Sequence, residues 1–175
     1  YMKSQLVSFP TLGHAERLLG GLSKPSKMPG YAYGLPAAEC KVGSVLRQIP
    51  NSVCSKCYAL KGRYVFDNVQ KAEYRRLGTI TDPQWVDAMV HLIQGKKIEW
   101  FRWHDSGDIQ GLDHLDRIVQ VASRCPDTHF WLPTRERAVV LEYQRNNTIP
   151  SNLVIRVSGA MIDGPVPQGF KNTST

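Results

Sequence analysis

The chain has 175 residues, 42% hydrophobic and 21% charged, with 22 Lys/Arg against 15 Asp/Glu for a formal net charge of +7. That length suits one domain with a real core, no run approaches the eighteen apolar residues of a membrane span, and the first residues lack the layout of a secretory leader. Four cysteines at irregular spacing do not make a disulfide scaffold at this size, so a reducing, cytoplasmic setting is expected. The charge is uneven: residues 1–80 hold twelve Lys/Arg and four Asp/Glu, whereas residues 81–175 hold ten and eleven. A basic excess confined to one half is an electrostatic footprint for a polyanion, and nucleic acid is the expected partner.

Residues 1–66 read as an irregular, basic, cysteine-containing segment. Within it, 18–36 is rich in Gly and Pro without a period, which predicts a partly extended arm carrying exposed Lys24 and Lys27. A helix is expected over 67–77 with Val69, Ala72 and Leu77 inward and its basic residues outward. A stronger helix is expected over 81–94, opened by a Thr81–Gln84 capping box and striped by Trp85, Met89 and Leu92. The pattern then alternates: strand 98–103, helix 111–125 with Leu112, Leu115, Ile118, Val119 and Ala122 inward, strand 128–133, helix 136–146, strand 153–159. Strands separated by helices imply right-handed crossovers and a parallel sheet. The expected class is therefore α/β over 67–163, as a partial or complete β/α barrel-like core, with a doubly wound sheet also open. The tail 164–175 has no core pattern and is expected to add no element; a chain ending this way is expected to be a fragment, or an ordered part, of a longer protein. Trp100, Trp103 and Trp131 are expected in the core, and Tyr31 and Tyr33 of the arm are candidates to stack on bases.

Three sets of residues could carry chemistry. Cys54-Ser-Lys-Cys57 is a C-x2-C knuckle whose thiolates can face one ion, with Cys40 upstream as a third ligand. Zinc is the first expectation and an iron–sulfur cluster the alternative; Lys41, Lys56 and Lys61 would favour thiolate. No fourth ligand is evident, and Cys125 is expected in packing. Radical S-adenosylmethionine enzymes also use three cysteines, at tighter spacing. The second set, His104-Asp105-Ser106-Gly107-Asp108, follows a strand directly, at the edge where parallel folds collect their active sites. Its two carboxylates could serve as nucleophile and general acid/base, or could cap the loop. The third set lies on later strand ends: Arg135 as a clamp for phosphate or carboxylate, and Ser158-Gly159 with Asp163 beyond.

Cys54-Ser-Lys-Cys57-Tyr58-Ala59-Leu60-Lys61-Gly62-Arg63-Tyr64, followed by His104-Asp105-Ser106-Gly107-Asp108, resembles the phage "gene product eighty-eight" family, and the element order fits from about Leu22 to Asp163. Residence in a host's cytoplasm would follow if the protein is phage-encoded. Asp105-Ser-Gly-Asp-Ile-Gln110 is also similar to a segment of the tRNA-guanine transglycosylases, whose relatives insert 7-deazaguanine bases into DNA. That likeness implies a transglycosylase exchanging guanine for a deazaguanine base in DNA, or in tRNA. It implies a base-recognition or proton-transfer role for Asp105. Leu132-Pro133-Thr134-Arg135 resembles a segment near the family's nucleophile, but Phe130 stands where the acid would be.

The leading expectation is thus base exchange on DNA. Asp105 would recognise the base, Asp108 or Asp163 would attack the sugar, and His104, Ser106, Gly107, Arg135 and Ser158 would bind substrate. Lys24, Lys27, Lys61 and Arg63 would hold phosphates, and Cys40, Cys54 and Cys57 a metal that orders the basic segment. The alternatives are a radical-type iron–sulfur enzyme on the same cysteines and a non-enzymatic zinc-containing DNA-binding protein.

Overall fold

Every second residue along three strands is buried, and this alternation decides which sheet face makes the core. In the computed structural model, which describes residues 9–175, the strands are β2 (Trp100–Trp103), β3 (His129–Thr134) and β4 (Leu153–Ser158). Phe101, Trp103, Phe130, Leu132, Leu153, Ile155 and Val157 point into the core. Two short strands complete the sheet, β1 (Tyr31–Tyr33) and β5 (Thr173–Ser174). The order is β1-β2-β3-β4-β5 and every neighbouring pair is parallel. The expected α/β class with a parallel sheet is what forms. A closed barrel is not, since β1 and β5 stand as edges among the described residues.

The buried face packs against α4 (Trp85–Gly95), α5 (Leu112–Arg124) and α6 (Arg137–Asn146), neighbours in that order, with α1 (Leu12–Leu19) lying on α4. Trp103 meets Trp85, Phe101 and Phe130 at ring separations of 5.8, 4.7 and 6.0 Å, a cluster in which each large side chain contributes about 1.5–3 kcal/mol. No helix of the described residues is long and apolar enough to cross a membrane.

Several expectations change at close range. The arm 18–36 contains β1, and Tyr33 is core, its hydroxyl donating to the Leu19 carbonyl at 2.6 Å; only Tyr31 is partly open. The tail contributes β5, because Val157 N–H and Gly159 N–H donate to the carbonyls of Asn172 and Ser174. The capping box does not form: α4 starts at Trp85, and Asp82, not Thr81, accepts the Gln84 N–H. Leu112 is exposed, and His114 and Val121 join the core face of α5 instead.

The helix expected over 67–77 is present as α3 (Asp67–Leu77), but its fully buried residues are Glu73 and Arg76. Arg76 is turned inward because its guanidinium donates to the carbonyls of Gly21 and Gly34, tying the arm to the end of β1. Trp103 is core as expected, whereas Trp100 and Trp131 are 47% and 40% exposed on the other sheet face.

Candidate functional site

All strands of a parallel sheet end on one edge, so the loops that follow them meet there. A pocket of about 240 Å³ opens at that edge. The loop His104–Asp108 after β2 lines it, together with Pro133 near the end of β3, Arg135 just after it, and Ser158 at the end of β4. The opposite wall comes from the cysteine-containing segment around Cys40, Cys54 and Cys57. Cys40 directly precedes α2 (Lys41–Leu46), a helix not foreseen from the sequence.

The loop after β2 is fixed by β1 and its continuation. His104 N–H donates to the Tyr33 carbonyl, and Leu35 N–H to the Ser106 carbonyl. Gly107 adopts φ 83°, and a Cβ there would lie 2.7 Å from Leu35, so only glycine lets the loop pass. His104 is buried with φ 58° and neither ring nitrogen partnered; burial holds its pKa well below the usual range, so it is neutral. Ser106 is also buried, its hydroxyl beside the Glu73 carboxyl.

The two aspartates of this loop differ. Asp108 accepts from Ile109 N–H and the Thr134 hydroxyl on one oxygen and from Arg135 N–H on the other. Burial nonetheless raises its pKa to about 6, the three hydrogen bonds opposing. Asp108 thus joins the β2 and β3 loops. Asp105 has one oxygen facing the Tyr64 hydroxyl at 3.4 Å and the other buried without a partner. Burial raises its pKa too, with Arg102 and Arg76 pulling it back. Its free oxygen lies 2.6 Å from where a Cβ on Gly34 would stand, and Glu73 Oε1 lies 3.6 Å from the same point. Glu73 therefore lies behind the pocket, next to Asp105, and burial lifts it to about 7, the Ser106 hydroxyl opposing. The sequence carried a signal for it, since Val69, Glu73 and Arg76 share one helical face.

Two of the cysteines come together around a glycine. A Cβ on Gly43 would lie 3.6 Å from Cys54 Sγ and 3.7 Å from Cys40 Sγ, so both sulfurs rest against one bare backbone position. Cys57 N–H donates to the Cys54 carbonyl, closing the knuckle turn, and all these thiols are free. Burial pushes Cys40 up to about 12, the negative charges of Asp108, Cys57 and Cys54 adding to it. Cys54 is raised by burial and opposed first by Arg135. The cations facing the thiols are Arg135 and Arg47, not the lysines expected; Lys41 is spent on the Gln110 carbonyl. Among the described residues no three His, Cys, Asp or Glu side chains converge tightly enough to hold a single ion.

Arginine is the surprise of the pocket. Arg47, Arg102, Arg135 and Arg156 all line it, and none pairs with a carboxylate among the described residues. The Nε atoms of Arg47, Arg102 and Arg135 are buried without an acceptor. Only Arg135 was singled out from sequence, because the others sit inside predicted strands or irregular chain.

Other expected residues lie apart. Asp163 is exposed in a turn at φ 55° and does not line the pocket. Ser158 does line it, its hydroxyl 3.1 Å from that of Ser174. Lys24 sits over the Tyr31 ring, which it shares with Lys96, at the sheet edge away from the pocket. Lys61 and Arg63 are exposed next to Tyr58 and Tyr64, whose hydroxyls both reach Asp105.

A family model described as gene product 88 matches residues 10–174. Comparison with curated proteins gives no match, and comparison with solved structures gives none.

Proposed function

The chain belongs to the gene product 88 family, a name that states no chemistry, and from the pocket itself we propose a metal-centred enzyme acting on an anionic substrate. The observation that carries this is the meeting of Cys40, Cys54 and Cys57 with carboxylate-free arginines and Asp105 in one pocket at the carboxyl edge of a parallel sheet. The strand order also supports a partial β/α barrel, in which that edge is the catalytic one.

The donor set favours an iron–sulfur cluster over one zinc ion. A cluster spreads its thiolates over several irons, so they need not meet at one point, and Gly43 leaves the sulfurs of Cys40 and Cys54 uncrowded. Cys40, Cys54 and Cys57 would hold it, and a bound cluster supplies one-electron chemistry. Thiols raised by burial keep their protons until metal displaces them, so loading releases protons and strengthens with pH. Asp105, with its free oxygen, takes or delivers a proton beside the substrate, and Arg102 and Arg135 neutralise the substrate's negative group. DNA is the substrate we assign first, on the charge of the chain, with tRNA second.

Exchange of guanine for a 7-deazaguanine base is supported less. It needs a free carboxylate nucleophile, yet Asp108 spends both oxygens on three donors and Asp163 lies outside the pocket.

Protein purified without oxygen, or reconstituted with iron and sulfide, tests the metal centre. The expected result is brown protein with iron and sulfide for about one centre, lost together with thermal stability in Cys54→Ser. Zinc without sulfide would replace the cluster by a zinc site. Free thiols at full count and no metal after reconstitution would end the proposal.

A further inference from the structure

All-parallel sheets almost always have both faces covered; here, among the described residues, one face is open where its strands begin, and the cysteine-containing segment lies over it only where they end. It carries Trp100 and Arg102 of β2, His129 and Trp131 of β3, and Val154 and Arg156 of β4, with Trp100, Trp131 and Val154 each 40–47% exposed. The register sets these side chains in rows. Trp100 lies beside His129, and their rings stack at 4.7 Å and 25°. Arg102 lies beside Trp131, with its guanidinium 4.7 Å from the indole. Val154 adjoins Trp131, and Arg156 is one row further on. Arg102, Trp131 and Arg156 also line the pocket, so the rows run into it. No strand residue of this face is a carboxylate.

The chemistry of the face limits what can cover it. A second copy docking through the same face would bring Arg102 and Arg156 against arginines of like charge. Duplex nucleic acid offers phosphates but keeps its base planes stacked inside. A single strand offers both phosphates and open ring faces, and matches aromatic rows flanked by guanidinium groups on a chain of net charge +7. We propose that this face binds single-stranded nucleic acid, its bases stacking on Trp100 and Trp131 and its phosphates meeting Arg102 and Arg156, so that the strand leads into the cysteine pocket. The proposal rests on the anionic-substrate part of the function above and is independent of the metal centre.

Fluorescence anisotropy of a labelled oligothymidylate with the full chain tests it. Wild-type protein should bind, with its tryptophan emission quenched, and should prefer the single strand to a duplex of equal length. Trp100→Ala should weaken binding about tenfold or more. Arg156→Gln should reduce the slope of log affinity against log salt by about one. Because Trp100 does not line the cysteine pocket, Trp100→Ala should keep the wild-type metal content, which reads the metal centre separately on the same samples, and should lower the melting temperature only by its lost stack on His129. Binding that both variants leave untouched, or a preference for duplex, overturns the face while an anionic substrate in the pocket still stands. Failure of the wild type to bind either nucleic acid overturns both. A wild-type dimer that Trp100→Ala dissociates would give the face to a second copy and end the proposal.

Discussion

Asp105 and Asp108 are three residues apart on one loop, and the loop uses them in opposite ways. Asp108 gathers the N–H groups of Ile109 and Arg135 and the Thr134 hydroxyl, so its carboxylate holds two loops together. Asp105 keeps one buried oxygen with nothing to accept. Asparagine at 108 would turn an amide N–H₂ toward one of these donors, leaving a buried donor unmet at a cost of about 1–3 kcal/mol. Asparagine at 105 removes a buried charge that was only half satisfied, and should leave stability unchanged or raise it. Urea unfolding of the two variants should therefore separate them; equal losses would contradict the assignment of Asp108 as the joining residue. The strand followed by His-Asp-Ser-Gly-Asp was enough to locate both acids. Which of them is free was hidden, because Thr134 and Arg135 arrive from the next strand, far along the chain.

Element by element, the sequence was most readable where apolar spacing is long and regular. Trp85, Met89 and Leu92 stripe α4 as expected, and β2, β3 and β4 fall on the alternating runs. β1 and β5 have three and two residues, too few to display a period, and pair only because a neighbouring strand presents its edge. α3 misled for another reason: it buries Glu73 and Arg76, and charge on a helix is ordinarily solvated. Burial raises Glu73 from 4.5 to about 7, the Ser106 hydroxyl opposing, Asp105 adding and Arg76 opposing. A raised carboxyl holds its proton in the folded chain after the unfolded chain has lost it. Its contribution is therefore whole below pH 4.5 and is lost as pH climbs to about 7. The buried His114, lowered to about 3, acts in the other direction, gaining for the folded state as pH rises through 3 to 6.5. Comparing Glu73→Gln with wild type cancels the histidine. The variant's stability relative to wild type should climb by about 1–3 kcal/mol between pH 4.5 and 7. A difference flat across that range would place the Glu73 carboxyl in water.

At the scale of the whole molecule, charge counted along the sequence is a poor map of charge in space. The basic excess of residues 1–80 suggested one phosphate-holding patch. The fold instead divides it. Lys24 lies over Tyr31 with Lys96, before the strands begin, whereas Lys61 and Arg63 sit by Tyr58 and Tyr64 at the edge where the strands end. The second half of the chain, slightly acidic by count, supplies Arg102, Arg135 and Arg156 to that same edge. Its carboxylates do not cancel them, since the two ion pairs among the described residues, Lys96–Glu16 and Arg124–Asp87, involve none of these arginines. A nucleic acid drawn to the pocket should therefore feel Lys61 and Arg63 and pass Lys24 and Lys27 by. Replacing Lys61 and Arg63 together by Ala should flatten the salt dependence of oligonucleotide binding by about one unit for each phosphate no longer neutralised, and Lys24→Ala with Lys27→Ala should leave the slope in place. The measurement is affinity across a salt series for both double variants. A slope that falls with Lys24 and Lys27 and not with Lys61 and Arg63 would move the phosphates away from the cysteines and the arginines alike.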